Sequence, residues 1–192
     1  MDGSCGDQVV AIEYSFDERL MFSDGSVAAA SVDKVLLDAI PGSLNVHRSG
    51  HANDRNGTDW WVEHSSGRHL SVDAKVRSKD YAASEDDPKD DLALETWSVV
   101  EKQVVGWTRN PDKRSDFILW LWVDTGRWCL VSFPMLCKVF QNKWNEWRTT
   151  YKTCKQFTAR NGSGYHSECT FVPRREVWAE IYRTFGGGNI VT

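Results

Sequence analysis

The segment that most constrains the fold is an almost wholly apolar run at 117–124, FILWLWVD. A strand that is continuously apolar is typical of the centre of a sheet covered on both faces. Thr125 and Gly126 then predict a turn into a second strand at 128–133. We therefore expect a central sheet with other elements packed on both of its sides.

The rest of the chain alternates between helical and strand-like patterns. A helix is predicted at 27–40, and the segment LNVHRS after it is strand-like. Two β-type runs at 58–63 and 69–76 flank a turn, which is a hairpin signature. Further along, the pattern predicts helices at 92–104, 134–148 and 174–185 and a strand at 169–173, with an irregular polar segment at 149–166. The expected class is α/β or α+β, with one mixed central sheet flanked by helices.

Composition excludes several classes of protein. The length of 192 residues suits one domain. No stretch approaches about 18 apolar residues, and the N-terminus lacks the pattern of a secretion signal. The five cysteines lack zinc-ligand spacing and are expected to be reduced thiols. These features predict a cytoplasmic protein that does not enter a membrane.

Charge argues against a large sequence-independent DNA-binding surface. The formal net charge is −4, whereas phosphate contacts need a local excess of Lys and Arg. The segment 80–91 is acidic, and basic residues recur over 138–160. Carboxylates that hold metal ions lower the net charge themselves, so the balance does not exclude a nuclease.

One group of charged residues lies on the predicted hairpin. Asp73 and Lys75 are one residue apart in the second run, so strand alternation places both side chains on the same face. Asp59 opens the first run and would meet Asp73 across the pair. Two carboxylates offer the oxygen ligands that magnesium prefers, and a lysine would stabilise an anion or orient a hydroxide. The alternative is a solvent-facing charge pair on an edge strand.

The segments Gly57-Thr58-Asp59 and LSVDAK at 70–75 resemble the PD-(D/E)XK motif of restriction-endonuclease-like and Holliday-junction-resolvase-like nucleases. In that superfamily an Asp at the start of a strand is followed, after a hairpin, by an apolar run ending in (D/E)xK. Thr58 stands where the name of the motif has proline. The resemblance implies a restriction-endonuclease-like core over about 27–133, with an extension at 134–192.

The resemblance also implies the roles of the motif residues. Asp59 and Asp73 would ligate Mg2+ or Mn2+, together with the backbone carbonyl of Ala74. Lys75 would position the water that attacks the phosphorus. The motif residues would then be the catalytic residues of an endonuclease.

Two further acidic positions follow from the same resemblance. Many members of the superfamily carry an acid on the helix before the first strand, where Asp33 and Asp38 are the candidates and Asp33 is preferred. In the superfamily the helix after the (D/E)xK strand sometimes adds a polar residue, and Glu95 on the predicted helix at 92–104 is the candidate. A solvated or structural role is the alternative for each.

Candidate nucleic-acid-binding residues near the motif are Arg48, His51, Arg55 and Arg77. A loop just ahead of Asp59 would reach phosphates, and a hydrated surface loop is the alternative. Trp144 and Trp147 flank basic residues on one predicted helix, where they would either stack on bases or pack into the core.

The resulting hypothesis is a magnesium-dependent endonuclease that hydrolyses phosphodiester bonds of DNA, with a phage or mobile element as its setting. Cutting two strands would favour a homodimer. DNA and RNA are not distinguished by the sequence. The alternative is an inactive nuclease-like fold that acts as a regulatory module binding protein or nucleic acid.

Overall fold

A computed structural model of the protein describes residues 26–50, 57–84, 87–160 and 163–186. Within these ranges the helices are α1 (Ser26–Ala39), α2 (Phe133–Thr150) and α3 (Arg174–Phe185). The strands are β1 (Ser43–Arg48), β2 (Trp60–His64), β3 (His69–Arg77), β4 (Asp91–Val99), β5 (Val104–Val105), β6 (Phe117–Trp122), β7 (Trp128–Ser132), β8 (Thr153–Arg160) and β9 (Ser163–Pro173). The predicted hairpin, the helices near 27–40, 134–148 and 174–185, and the strands at 117–124 and 128–133 are confirmed.

The strands form two sheets. The first has the order β1-β2-β3-β6-β7, with β3 and β6 parallel and the other neighbours antiparallel. The second has the order β5-β4-β9-β8 and is antiparallel throughout. The α+β class and the mixed central sheet are therefore confirmed. The prediction of a single sheet is wrong.

The predicted helix at 92–104 is wrong because this segment forms β4. Leu92, Leu94 and Thr96 are buried, and the residues between them are partly exposed, so the true period is two. The segment 149–166 is also not irregular. It contains β8, whose polar, exposed side chains reflect its place at the edge of the second sheet.

The first sheet is covered on both faces, as the apolar sequence of β6 predicts. Leu119 and Leu121 of β6 pack on the side of α1, where Val32 and Leu36 complete the core. Ile118 and Trp120 belong to the other side, in a core cluster with residues of β4, β9, α2 and α3. The second sheet thus packs, together with α2 and α3, on the face of the first sheet opposite α1.

This layering decides where the motif residues lie. Val72, Ala74 and Val76 of β3 belong to the layer under α1. Asp73 and Lys75 alternate with them and pair in register with Ile118 and Trp120, so they lie on the face toward the second sheet.

Among the described residues, no helix combines the length and the apolar character needed to cross a membrane.

Candidate active site

Asp59 is fixed at the point where β2 begins. Its backbone N–H donates to the Val72 carbonyl (2.9 Å), and its own carbonyl accepts from the Ser49 N–H (2.8 Å). Its side chain turns toward β3, where Oδ2 accepts the Ala74 backbone N–H at 2.9 Å. Two backbone hydrogen bonds therefore fix the position of Asp59, and one hydrogen bond from β3 orients its carboxylate.

Asp73 and Lys75 form a close ion pair inside the fold. Lys75 Nζ donates to Asp73 Oδ1 at 2.7 Å, with 7% of the Asp73 side chain and 26% of the Lys75 side chain exposed. The ammonium also lies 5.3 Å from the ring centroid of Trp107. The pair is thus not the solvent-facing pair that the sequence leaves open.

The charges of this cluster perturb each other. Burial raises the pKa of Asp59 to about 7, and the negative charge of Asp73 adds to the increase. Burial alone would lower the pKa of Lys75, but the two carboxylates outweigh it, and the pKa of Lys75 is raised. The lysine stays cationic at neutral pH while Asp59 holds a proton over much of the acidic range.

The motif residues line a cavity of about 200 Å³ between the two sheets. Gly57, Asp59, Asp73 and Lys75 form the wall from the first sheet. Glu95 and Ser98 of β4 form a wall from the second sheet, and Trp107, Asn110 and Lys113 of the segment before β6 complete the lining. The structure therefore brings Glu95 to the motif, although from a strand instead of a helix.

Glu95 is held in a defined orientation on that wall. Its Oε2 accepts hydrogen bonds from Ser98 Oγ (2.8 Å) and from the Trp107 backbone N–H (3.0 Å). Gly106 is fixed against the same residue, since an added Cβ would lie 2.0 Å from the Glu95 carbonyl oxygen. The carboxylate thus faces the cavity from a rigid support.

Asp33 is not brought to the motif. It lies on α1, which covers the opposite face of the first sheet, and its Oδ1 accepts the Trp60 indole N–H at 2.9 Å. Asp33 is absent from the residues that line the cavity, and Asp38 is exposed on the same helix. The structure gives Asp33 a structural partner in β2.

The candidate nucleic-acid-binding residues have different surroundings. Arg48 is exposed at the end of β1, with its guanidinium 4.8 Å from the Trp60 ring centroid. Arg77 is exposed at the end of β3, on the face that carries Lys75. His51 and Arg55 lie outside the described residues.

The two tryptophans of α2 differ in exposure. Trp147 is buried against Phe140, with ring centroids 6.0 Å apart, so it belongs to the core and not to a base-stacking surface. Trp144 is partly exposed and has the Arg109 guanidinium 3.9 Å from its ring centroid. Arg109 also contacts Trp97, at 4.6 Å, so Trp144 is part of a packed cation–π group.

The donors fit a magnesium or manganese ion. Magnesium typically takes one or two carboxylates and keeps water and substrate phosphate as further ligands. Asp59 and Asp73 supply two oxygen donors, and burial and the charge of Asp73, which together raise the pKa of Asp59, both disfavour a second carboxylate charge that a bound cation would stabilise. Among the described residues, no group of three His, Cys, Asp or Glu side chains has metal-binding geometry. The role of the Ala74 carbonyl stays a prediction.

Four cavity residues escape sequence reasoning: Ser98, Trp107, Asn110 and Lys113. The available signal for the last two is the turn-rich, charged segment NPDKRSD at 110–116, directly before the central strand. Loops at the ends of buried strands often carry functional residues. Ser98 and Trp107 give no such signal, since their position depends on the second sheet.

The chain matches no protein-family model, no curated protein and no solved structure. The layer architecture also departs from the nuclease resemblance, because a second sheet follows the (D/E)xK strand where that resemblance leads us to expect a helix. Membership of the superfamily therefore stays a proposal that depends on the site itself.

The metal-free protein is expected to lose stability as the pH rises from about 4 to about 7. Asp59 has a pKa of about 7 in the folded state against 3.8 as its ordinary value, so the folded state binds the extra proton in this window. A group that binds protons more strongly when folded stabilises the protein below its folded pKa and loses that contribution above it. Asp59→Asn, which mimics the protonated form, should remove this part of the dependence of the free energy of unfolding on pH.

Thermal unfolding in EDTA across this pH range, for wild type and Asp59→Asn, measures the difference. The free energies of unfolding should diverge as the pH rises, with the variant becoming relatively more stable. A difference in the free energy of unfolding between the two proteins that stays constant from pH 4 to 8 would contradict the raised pKa of Asp59.

Proposed function

We propose that this protein is a metal-dependent nuclease that hydrolyses phosphodiester bonds of DNA. The observation that carries the proposal is the buried cluster of Asp59, Asp73 and Lys75 at a cavity between the sheets. Perturbed, closely spaced ionisable groups in a cleft are typical of functional sites. The intact spacing of the PD-(D/E)XK motif on a real hairpin points to phosphodiester chemistry.

Asp59 and Asp73 would hold the metal ion, with water and a phosphate oxygen completing its ligands. The bound ion supplies Lewis acidity at the phosphate and makes a metal-associated water more acidic. Asp59 must give up its proton for this, so metal affinity should rise with pH toward neutrality. Nuclease activity is accordingly expected to increase over the same pH range.

Lys75 acts in its protonated form. Its pKa is raised, so it donates hydrogen bonds and does not serve as a general base. Its contact with Asp73 fixes the ammonium beside the carboxylates, where it would orient the attacking water and offset charge that develops on the phosphate. Glu95, from the opposite wall, adds a third oxygen donor to the same cavity.

The free thiols of the described cysteines support a reducing, cytoplasmic setting for this activity. They are Cys129, Cys137, Cys154 and Cys169. Burial raises the pKa of Cys129, Cys137 and Cys169 to about 12, so these three thiols are packing groups without nucleophilic character at neutral pH.

A binding module without catalysis is the second candidate. The observation in its favour is that Lys75 pairs with Asp73 and neutralises part of the charge there. Such a module would bind nucleic acid or protein equally well with and without a divalent ion.

A cleavage assay tests the proposal. Supercoiled plasmid, linear duplex, single-stranded DNA and RNA are incubated with the purified protein in Mg2+, in Mn2+ and in EDTA. Cleavage of at least one DNA substrate with either ion, and none in EDTA, is the expected result. Cleavage that persists in EDTA contradicts a metal-dependent mechanism. Binding of the same substrates without any cleavage favours the module.

A further inference from the structure

A second cavity adjoins the candidate active site. Its volume is about 350 Å³, and Asn110 and Lys113 line both this cavity and the one that holds the motif. Its remaining walls include Ser71 of β3, Ser115 before β6 and Gln141 of α2. A ligand that fills the first cavity and extends past Lys113 would enter the second.

Hydrogen bonds fix the segment 113–116, which lies between the two cavities. Ser115 Oγ donates to the Gly57 carbonyl at 2.5 Å, and the Asp116 carboxylate accepts the backbone N–H (2.8 Å) and the hydroxyl (3.0 Å) of Ser71. These contacts join the loop before β6 to the residues that flank the motif on β2 and β3. Lys113 is therefore presented from a fixed backbone.

Lys113 runs alongside the start of the motif. Gly57 has φ +91°, which favours glycine, and a Cβ added there would lie 3.1 Å from Lys113 Cδ and 3.8 Å from Lys113 Nζ. Gly57 is two residues ahead of Asp59. The lysine stem thus lies at the boundary between the two cavities.

The two cavities differ in charge. Among the described residues of the first cavity, the three carboxylates of Asp59, Asp73 and Glu95 outnumber the two lysines, which suits a metal ion. Among the described residues that line the second, Lys113 and Arg114 lie with a single acid, Asp116, whose carboxylate accepts two hydrogen bonds from Ser71. An anionic group is therefore favoured in the second cavity, next to a metal-binding group in the first.

We propose that the second cavity binds the nucleotide adjacent to the cleaved bond, with Lys113 contacting its phosphate. This inference depends on the proposed function, because it takes the motif cavity as the place of the scissile phosphate. A polynucleotide strand has a phosphate on either side of each nucleotide, so one strand spans both cavities. Asn110 and Gln141 supply amide groups that hydrogen-bond to sugar or base edges.

The substrate class that follows is a polynucleotide strand gripped on one side of the cleaved bond, and not an isolated phosphodiester. Lys113 is then a substrate-positioning residue, separate from the motif in sequence and close to it in space. The rival location is the basic surface over 138–160, which includes exposed Lys155 on β8.

DNA binding by Lys113→Ala and Lys155→Ala separates the two locations. Fluorescently labelled single-stranded and duplex DNA oligonucleotides are titrated in EDTA and in Ca2+, at several salt concentrations, with Lys113→Gln as a second variant. We expect Lys113→Ala to raise the Kd about tenfold. The slope of the logarithm of the affinity against the logarithm of the salt concentration should become shallower by the value of one phosphate contact, which is about 0.7 for single strands and about 0.9 for duplex. Lys155→Ala should stay within about twofold of wild type.

Unchanged binding by both Lys113 variants overturns the inference, as does an equal loss in Lys155→Ala or a wild type that binds none of the probes. Thermal unfolding of each variant confirms that the protein is folded. Binding is measured without cleavage, so the outcome is independent of catalysis. A Lys113 effect in a protein that cuts nothing would sustain strand binding at the second cavity and reject the proposed cleavage.

Discussion

Asp73→Ala is expected to lower kcat/KM for DNA cleavage by at least about a thousandfold, the upper end of what one stabilising contact contributes to a transition state. The Asp73 side chain is 7% exposed and is the only direct ion-pair partner recorded for Lys75 among the described residues. Its removal takes away a metal ligand and releases the ammonium from its position. Both the metal and the lysine would then be misplaced.

Asp38→Ala is the matched control for this variant. It makes the same substitution on the exposed side of α1, away from the cavity, and should keep activity within about twofold of wild type. Steady-state cleavage of one DNA substrate in Mg2+ compares the three proteins. Cleavage by Asp73→Ala at the wild-type rate would show that the cluster of Asp59, Asp73 and Lys75 is not the catalytic site.

Lys75→Met is expected to lower kcat about a hundredfold or more while leaving the metal concentration that gives half-maximal activity nearly unchanged. The substitution keeps much of the aliphatic stem beside Trp107 and removes only the charge and its hydrogen bonds. Because the lysine stays protonated at neutral pH, its contribution is charge and orientation, and the pH profile should keep its acidic limb.

Single-turnover rates over a range of Mg2+ concentrations separate an effect on the rate of cleavage from an effect on metal binding. If Lys75→Met loses activity only through weaker DNA binding, with an unchanged rate at saturation, the lysine is a phosphate-binding residue and not part of the chemistry. Lys75→Arg provides a charged comparison, in which the bulkier planar group should restore little of the rate.

Much of the site could be predicted from the sequence because its geometry is local. Asp73 and Lys75 share a face through strand alternation alone, and the hairpin turn brings the start of β2 opposite β3. The register that places Trp60 opposite Val72 puts the neighbouring Asp59 within 2.9 Å of the Ala74 N–H. These relationships need only a few residues of sequence.

The second sheet could not be predicted because it depends on distant pairing. β4 pairs with β9, so that Glu95 lies opposite Cys169, and no local signal encodes this register. The apolar residues Leu92, Trp97, Val100 and Val104 also happen to follow helical spacing. Tertiary pairing overrides that pattern and turns most of the segment into a half-buried strand.

The acidic candidates illustrate the same limit. Glu95 reaches the cavity even though its predicted element is wrong, because the second sheet lies over the face of β3 that carries Asp73 and Lys75. Asp33 lies on the predicted helix and yet is bound to the Trp60 indole N–H on the other face. The sequence places an acidic residue on a helix or strand, but the order of the layers decides which face of the sheet that residue contacts.

The most direct test of the central claim is the initial rate of plasmid cleavage by wild type and Asp73→Ala, each in Mg2+ and in EDTA. The account predicts cleavage only by wild type and only in Mg2+, with both proteins equally folded by circular dichroism. Equal cleavage by the two proteins, or cleavage by wild type in EDTA, would contradict a metal-dependent site built on Asp59, Asp73 and Lys75.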